Sequence, residues 1–427
     1  MSSISKFLVF FGIKRDVPIV TLGVFFRALA GLIFAKMAAA SLGVYEYATY
    51  GHFYMLATYV VTASSLGLGS AFSVYVSRTR KQYGEQYDDG SLIVLASLCC
   101  GFIVGFIIIG LLLLDTRGGI LPQITKWNLV WWFTFCIISS VGTSIQSILL
   151  GRQNHITYQI ATILNPILSC IVLGAAMLLG SISPSVVIYT YMIGFAVPLC
   201  FIFPSVSESL SITRNSIRRL KEFSLPYIVP SMLIPTLGTF ATLYVRYLIE
   251  IKVSVSDLGL WQGLWRLSEG YMGAIISIGS ALFIPRFSRI TTQRESKYWL
   301  RRAILCLLGL YAPLALVFLV IPKTIIRILL SSQFAGVSAF LPMEILGDIL
   351  KICFFILQLF LTCMLLPRLA LAGEVLFSLA FIVFTFLIES WMHSPKGAVE
   401  AYSLSYLLVV TLLLPLIFRQ IRRLPPG

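Results

Sequence analysis

Runs of about 20 apolar residues, the length needed to cross a bilayer, recur along the whole chain. A backbone inside hydrocarbon must satisfy its own hydrogen bonds, so such a run is restricted to a helix. Successive windows fall at 17–39, 51–77, 91–114, 128–150, 158–180 and 185–204, and then at 224–250, 262–285, 302–321, 342–366, 368–390 and 398–418. Composition agrees: 58% of the 427 residues are hydrophobic, 11% are charged, and mean hydropathy is +0.92. Soluble domains carry about 25% charged residues, so this chain lacks the polar surface to cover a water-facing core. The expected fold class is an all-α integral membrane protein with about twelve transmembrane helices.

The charges locate the loops. Net charge is +15, and the basic residues cluster between the apolar windows. That pattern is the positive-inside signature rather than a nucleic-acid surface, so no nucleic-acid partner is expected. With the N-terminus cytoplasmic, 21 of the 32 basic residues fall on the cytoplasmic side and 7 on the other. The split favours an even number of spans with both termini inside. The polar stretch SESLSITRNSIRRLKEF (207–223) lies between the sixth and seventh windows. It divides the chain into an N-terminal six-helix lobe (1–204), a cytoplasmic linker (205–223) and a C-terminal six-helix lobe (224–427). Arg214, Arg218 and Lys221 share one helical face that can ride on the inner leaflet. A faint internal echo joins the halves: Gly51 follows Lys36 by 15 residues, as Trp261 follows Arg246, and SRTR (77–80) and SRIT (288–291) end the next spans.

Soluble-enzyme chemistry has no foothold. There is no Walker A sequence, and His52, His155 and His393 are too scattered for a metal site. All eight cysteines lie in apolar stretches without a CxxC spacing. No cofactor, metal or catalytic set is expected.

What remains is charge inside the spans, which costs about 2.5–3.5 kcal/mol per residue at the bilayer centre. Arg27 sits near the middle of the first span with no acid within a helical turn. It either pairs across helices or lines a cavity that accepts an anion. Arg246 and Glu250, Arg266 and Glu269, and Asp348 and Lys351 are spaced to pair on one helical face. Glu269, Glu344, Asp348 and Glu374 are the acids available for a proton- or ion-coupled cycle. Pro226, Pro230 and Pro235 in the seventh span favour a bent, cavity-lining helix. Gly101 and Gly105 form a GxxxG, the spacing of a close helix contact. Trp261, near a span end, reads as an interfacial anchor.

Two segments resemble a known family. GLWQGLWRLSEGYMGAIISIGSALFIPRFSRI (259–290) is similar to the eighth-span region of Wzx-type polysaccharide flippases, the enterobacterial common antigen type above all, and VYEYATYGHF (44–53) resembles their first outward loop. The resemblance implies the multidrug/oligosaccharidyl-lipid/polysaccharide exporter fold, two pseudo-symmetric six-helix lobes around a central cavity. It also implies a substrate, an undecaprenyl-pyrophosphate-linked oligosaccharide of the enterobacterial common antigen or O-antigen kind. Movement would run from the cytoplasmic to the periplasmic leaflet of the bacterial inner membrane, by alternating access. Members carry an arginine in the first span, matched here by Arg27, with Arg246 and Arg266 placed similarly in the second lobe. The candidate pyrophosphate and glycan set is Arg27, Lys36, Arg246, Arg266 and Lys351. The expected partners are the polyprenyl-linked glycan, membrane lipids and other polysaccharide assembly proteins. Two alternatives stay open: a cation-coupled drug or metabolite exporter of the same fold, and a membrane enzyme of polysaccharide assembly such as a polymerase. The short outward loops, the longest at 322–341, argue against the polymerase.

Overall fold

A computed structural model describes residues 17–64, 90–115, 126–152, 154–180, 182–202, 214–287, 290–364, 366–392 and 394–426, with isolated positions between 69 and 80. All regular structure in these residues is helical. In chain order the helices are α1 (Val17–Ala63), α2 (Gly90–Asp115), α3 (Lys126–Gly151), α4 (His155–Leu178), α5 (Pro184–Ile202) and α6 (Arg214–Lys252). Then follow α7 (Val255–Phe287), α8 (Gln293–Val320), α9 (Pro322–Leu329), a 3-10 segment (Ser332–Ala339), α10 (Leu341–Cys363), α11 (Pro367–Met392) and α12 (Lys396–Ile421). Among the described residues nine helices are long and apolar enough to span a membrane, and two shorter apolar helices lie in α2 and α5. The 47-residue α1 is two helices broken at Gly43, whose φ of 69° is open to glycine and strained for other residues. Counting α1 twice brings the apolar helical segments to the twelve read from the sequence.

Local sequence explains where the helices start. Thr292 caps α8 by accepting from the Glu295 amide, and the Glu295 carboxylate accepts from the Thr291 N–H at 3.2 Å. Proline opens α9 and stands in the first turn of α10, where a missing N–H costs nothing. The N-terminal segment 1–16, the loop 116–125 and the 203–213 part of the expected linker lie outside the described residues. From Arg214 onward the linker is already helical and runs unbroken through Pro226, Pro230 and Pro235 into the seventh span.

Packing divides the chain into two compact units. One comprises 53–172 and 188–236. There α2 and α3 pack closely through the expected GxxxG: a Cβ on Gly101 would stand 2.9 Å from Ser140 Cβ, and one on Gly105 would stand 2.7 Å from the Phe133 ring. Ser140 donates to the Ser64 carbonyl at 2.9 Å, and Ser97 pairs with Ser144 across the same seam. In lipid, where apolar burial gives no drive between helices, such close packing and hydroxyl bonding hold them together.

The other unit comprises 1–52, 173–187 and 237–427. Here α10 packs against α7, α8, α11 and α12. Its interior is a column of rings. Trp261 stacks on Trp265 with centroids 5.0 Å apart, Trp265 on Phe381 at 6.2 Å, and Phe377 on Tyr406 at 4.2 Å. Trp261 is only 2% exposed. This corrects its reading as an interfacial anchor: proximity to a span end fits both roles, and the ring column supplies the burial.

Candidate functional site

The second unit also gathers the charges singled out above. Its centre is the WQGLWRLSEGY stretch of α7, with α1, α6, α8, α10, α11 and α12 contributing.

Arg246, near the end of α6, is fully buried. Its three nitrogens take separate partners: Nη1 donates to Gln262 Oε1, Nη2 to the Ala48 carbonyl at 2.8 Å, and Nε to His52 Nδ1 at 3.5 Å. His52 Nε2 lies 3.5 Å from the Glu250 carboxylate. The imidazole therefore accepts at Nδ1 and donates at Nε2, which assigns its proton to Nε2. The expected direct Arg246–Glu250 pair is replaced by this relay. One helical turn sets the two side chains on one face, but Glu250 stays at the solvated end (41% exposed) while Arg246 turns inward. The segments that carried the family resemblance meet here, since Arg246 ties residue 48 of α1 to Gln262 of α7.

Asp348 on α10 is also fully buried. Its Oδ1 accepts from Ser268 Oγ at 2.7 Å and Tyr402 Oη at 3.2 Å. Its Oδ2 accepts from Tyr271 Oη and from Tyr311 Oη at 3.2 Å. Four hydroxyls from α7, α8 and α12 thus enclose one carboxyl. Among the described residues no ion pair joins Asp348 to Lys351. The lysine instead points its Nζ at the Trp265 and Tyr402 rings, 5.5 and 5.7 Å from their centroids. The sequence spacing was right for a pair, but the hydroxyls take up the carboxylate and leave the amine to the rings. One turn earlier Glu344 is 2% exposed, and its Oε1 has no hydrogen-bond partner.

The third expected pair forms: Arg266 Nη1 stands 3.8 Å from Glu269 Oε2, and Glu269 Oε1 also accepts from Trp265 Nε1 at 2.9 Å. Arg27 is half-buried in α1 and donates to Ser277 Oγ of α7 at 2.6 Å. No carboxylate lies within ion-pair distance of it among the described residues. Lys36 is elsewhere: its Nζ donates to the Ile328 and Arg327 carbonyls, at the C-terminal end of α9. A cation there complements the helix dipole. Glu374 on α11 lies against α6, with its Oε1 3.1 Å from where a Cβ on Gly238 would be. The structure thus gathers the charges into separate arrangements, with the Arg27–Ser277 bond, the Arg246 relay and the Asp348 cage the most elaborated.

His52, Gln262, Ser268, Tyr311 and Tyr402 had not been singled out for these roles. His52 stood in the resemblance segment and Gln262 beside Trp261, so position offered a signal for those two. Tyr311 and Tyr402 offered none, because a tyrosine in an apolar run reads as core. Among the described residues no cluster of His, Cys, Asp or Glu could hold a metal ion.

Comparison with known proteins places this geometry. The fold is shared with solved membrane transporters. An inward-facing multidrug resistance MATE transporter superposes with a TM-score of 0.70 at 13% identity, covering 95% of this chain and 99% of that one. An outward-facing conformation gives 0.70 at 13% over 97% and 99%. A MOP superfamily transporter from Pyrococcus furiosus, described as having reverse polarity of its binding pocket, gives 0.68 at 13% over 96% and 98%. In sequence, the Lipid III flippases of Escherichia coli (strain K12) and Shigella flexneri are each 24% identical over 217 residues, 51% of this chain and 49% of theirs. The chain therefore spans about half the length of the curated relatives it matches. The family described as polysaccharide biosynthesis protein matches residues 13–291, more than half of the chain. This multi-pass membrane protein belongs to the polysaccharide biosynthesis protein family.

Proposed function

We propose that the protein is a flippase. In this reading it moves a polyprenyl-pyrophosphate-linked oligosaccharide, of the enterobacterial common antigen or O-antigen class, from the cytoplasmic to the periplasmic leaflet of the bacterial inner membrane. It is a carrier and not an enzyme. The polyprenyl tail stays in lipid while the glycan crosses in a hydrated path. Two lobes, 1–204 and 224–427, alternate access about the linker 205–223, and both termini face the cytoplasm.

One observation carries the reading: a half-buried arginine in mid-span, Arg27, whose described partner is a hydroxyl and not a carboxylate. A guanidinium left without a counter-ion in hydrocarbon is costly. A pyrophosphate, matched to the planar fork, relieves that cost when substrate arrives. Family membership and the similarity to Lipid III flippases support the same substrate class. The cation-coupled drug exporter finds less support. The Trp265 and Tyr402 faces, the surface an organic cation would seek, already hold Lys351. Arg246, Arg266, Lys36 and Lys351 supplement Arg27 in this reading. Asp348 and Glu344, with Glu269 and Glu374, are the groups through which an ion gradient drives the cycle. Other assembly proteins of the same glycan are the expected partners.

The test is translocation of a fluorescent lipid-linked oligosaccharide in liposomes. Wild-type protein is expected to move it, and Arg27→Ala to slow it about tenfold or more, the equivalent of one charge-assisted contact. Unchanged transport by the variant removes Arg27 from the site. No transport by wild-type protein, with transport of an organic cation instead, sinks the substrate class.

A further inference from the structure

At one end of α7 and α8, away from the charges above, two arginines converge on a single indole. Arg286, in the last turn of α7, donates through Nη1 to the Leu282 carbonyl at 2.9 Å. Its guanidinium carbon lies 5.0 Å from the centroid of the Trp299 ring. Arg302, from the first turns of α8, lies 5.7 Å from that same ring and 5.3 Å from the ring of Tyr298, whose hydroxyl it also bonds. Burial, and then the Arg302 charge beside it, push Arg286 below the usual arginine range. Residues 286–302 hold six basic side chains and a single acid, Glu295. That acid is engaged in the α8 cap with Thr291. The segment is therefore net positive in sequence, and Arg286 and Arg302 are brought together at one indole.

The same face of α8 continues into hydrocarbon. From Arg302 it runs through Leu305, Gly309, Ala312 and Leu316, the three- and four-residue spacing of one helical stripe. Leu305 is 58% and Leu316 62% exposed, and a Cβ on Gly309 would meet nothing within 4 Å. The stripe is a shallow apolar track with a gap at Gly309, leading directly up to the paired guanidiniums.

We infer that this surface is a binding site for an anionic glycerophospholipid, with Arg286 and Arg302 holding its phosphodiester and one acyl chain lying along Leu305, Gly309 and Leu316. The guanidinium fork matches phosphate oxygens in two-point contact. Tyr298 and Trp299 sit where amphipathic rings favour the headgroup level. A bound phosphate lowers the mutual repulsion of the two arginines, which a neutral headgroup cannot do. The inference uses none of the residues assigned to the proposed translocation path.

The test uses the full chain in nanodiscs of phosphatidylcholine, titrated with phosphatidylglycerol and followed by native mass spectrometry of retained lipid. The Arg286→Ala/Arg302→Ala variant is compared with Arg294→Ala/Arg301→Ala, which removes the same charge from the same segment. The first is expected to weaken phosphatidylglycerol retention about tenfold or more, and the second less than about twofold. Gly309→Leu, which changes no charge, is expected to weaken it as well. Equal losses in the two arginine pairs mean a diffuse basic surface and overturn the site, as does no loss in either. Stronger retention of polyprenyl phosphate than of phosphatidylglycerol overturns the assignment to a glycerophospholipid. If the alanine pair fails to fold, Arg286→Lys/Arg302→Lys decides: it keeps the charge and loses the fork, and wild-type retention then refutes the two-point contact.

Discussion

Arg246 offers the sharpest check on how this bundle is held together. Replacing it with methionine keeps an unbranched stem, shorter than that of arginine, and removes all three donor nitrogens. Gln262 Oε1, on a side chain that is 0% exposed, and His52 Nδ1 then lose their donor, while the Ala48 carbonyl keeps its place in the α1 hydrogen-bond ladder. Each buried acceptor left unpaired costs about 1–3 kcal/mol, so the two together cost about 2–6 kcal/mol by this reasoning. Against this stands the release of a guanidinium from a site without a direct counter-ion, a penalty of several kcal/mol per buried ion. The offset is partial, because Arg246 makes good hydrogen bonds and shares Glu250 through His52. The expected net loss is about 1–3 kcal/mol. Gln262→Leu alone leaves Arg246 Nη1 unsatisfied and costs about 1.5–3 kcal/mol, as for a lost bond to a charged group. In the double variant the Arg246–Gln262 bond has no orphan on either side. Its loss should then fall short of the sum of the single losses by about 1.5 kcal/mol or more. Unfolding in mixed micelles of sodium dodecyl sulfate and dodecyl maltoside measures all four proteins. Tryptophan emission reports locally, since Trp261 adjoins Gln262 and stacks on Trp265. Additivity within about 0.5 kcal/mol would show that the two side chains do not depend on each other, and the relay would be wrong.

Gly51→Ala places a methyl 2.5 Å from Gln262 Cδ and 2.8 Å from Arg246 Nη1. Crowding of about 1–3 kcal/mol should outweigh the roughly 1 kcal/mol helix-propensity gain, and the Arg246→Met background should relieve part of it. Asp348→Asn preserves shape within the four-hydroxyl cage and removes the carboxylate; it is expected to abolish the dependence of transport on pH in the liposome assay, and an unchanged pH profile removes Asp348 from coupling. Tyr311→Phe and Tyr402→Phe each withdraw one donor and should cost about 1 kcal/mol of stability, with the pH profile retained. Glu389, fully buried, accepts from the Ala398 amide at 3.1 Å at the N-terminal end of α12. Glu389→Ala should destabilise by about 1–2 kcal/mol through loss of this cap, measured by the same unfolding assay; wild-type stability would deny the capping role.

What the sequence revealed and what it withheld divide along a physical line. Apolar length forces helices, so the spans were legible, down to the close α2–α3 contact at Gly101 and Gly105. Charge in an apolar span is expensive wherever it sits, so Arg27, Arg246 and Asp348 could be picked out without knowing their partners. Partner identity is another matter. Spacing along one helix proposed Glu250 for Arg246 and Lys351 for Asp348. Tertiary packing overrode both, because hydroxyls, amides and carbonyls from other helices reach the buried groups first. The four donors to Asp348 lie between 37 and 80 residues away in the chain. A tyrosine or serine costs little in an apolar span, so nothing in composition or period marks the ones that turn inward. Arg266 and Glu269 kept their helical pairing, and the other described donor to the carboxylate, Trp265 Nε1, lies on α7 as well. The rule suggested by these cases is that a helical i,i+3 or i,i+4 pair survives where both groups stay at the edge of the packed interior. Where one of them is drawn fully inside, neutral donors and acceptors from neighbouring helices replace it. Arg27 is then the informative exception, since it is half-buried and yet has a single hydroxyl from α7 as its described partner, which leaves most of its donors available to an anion.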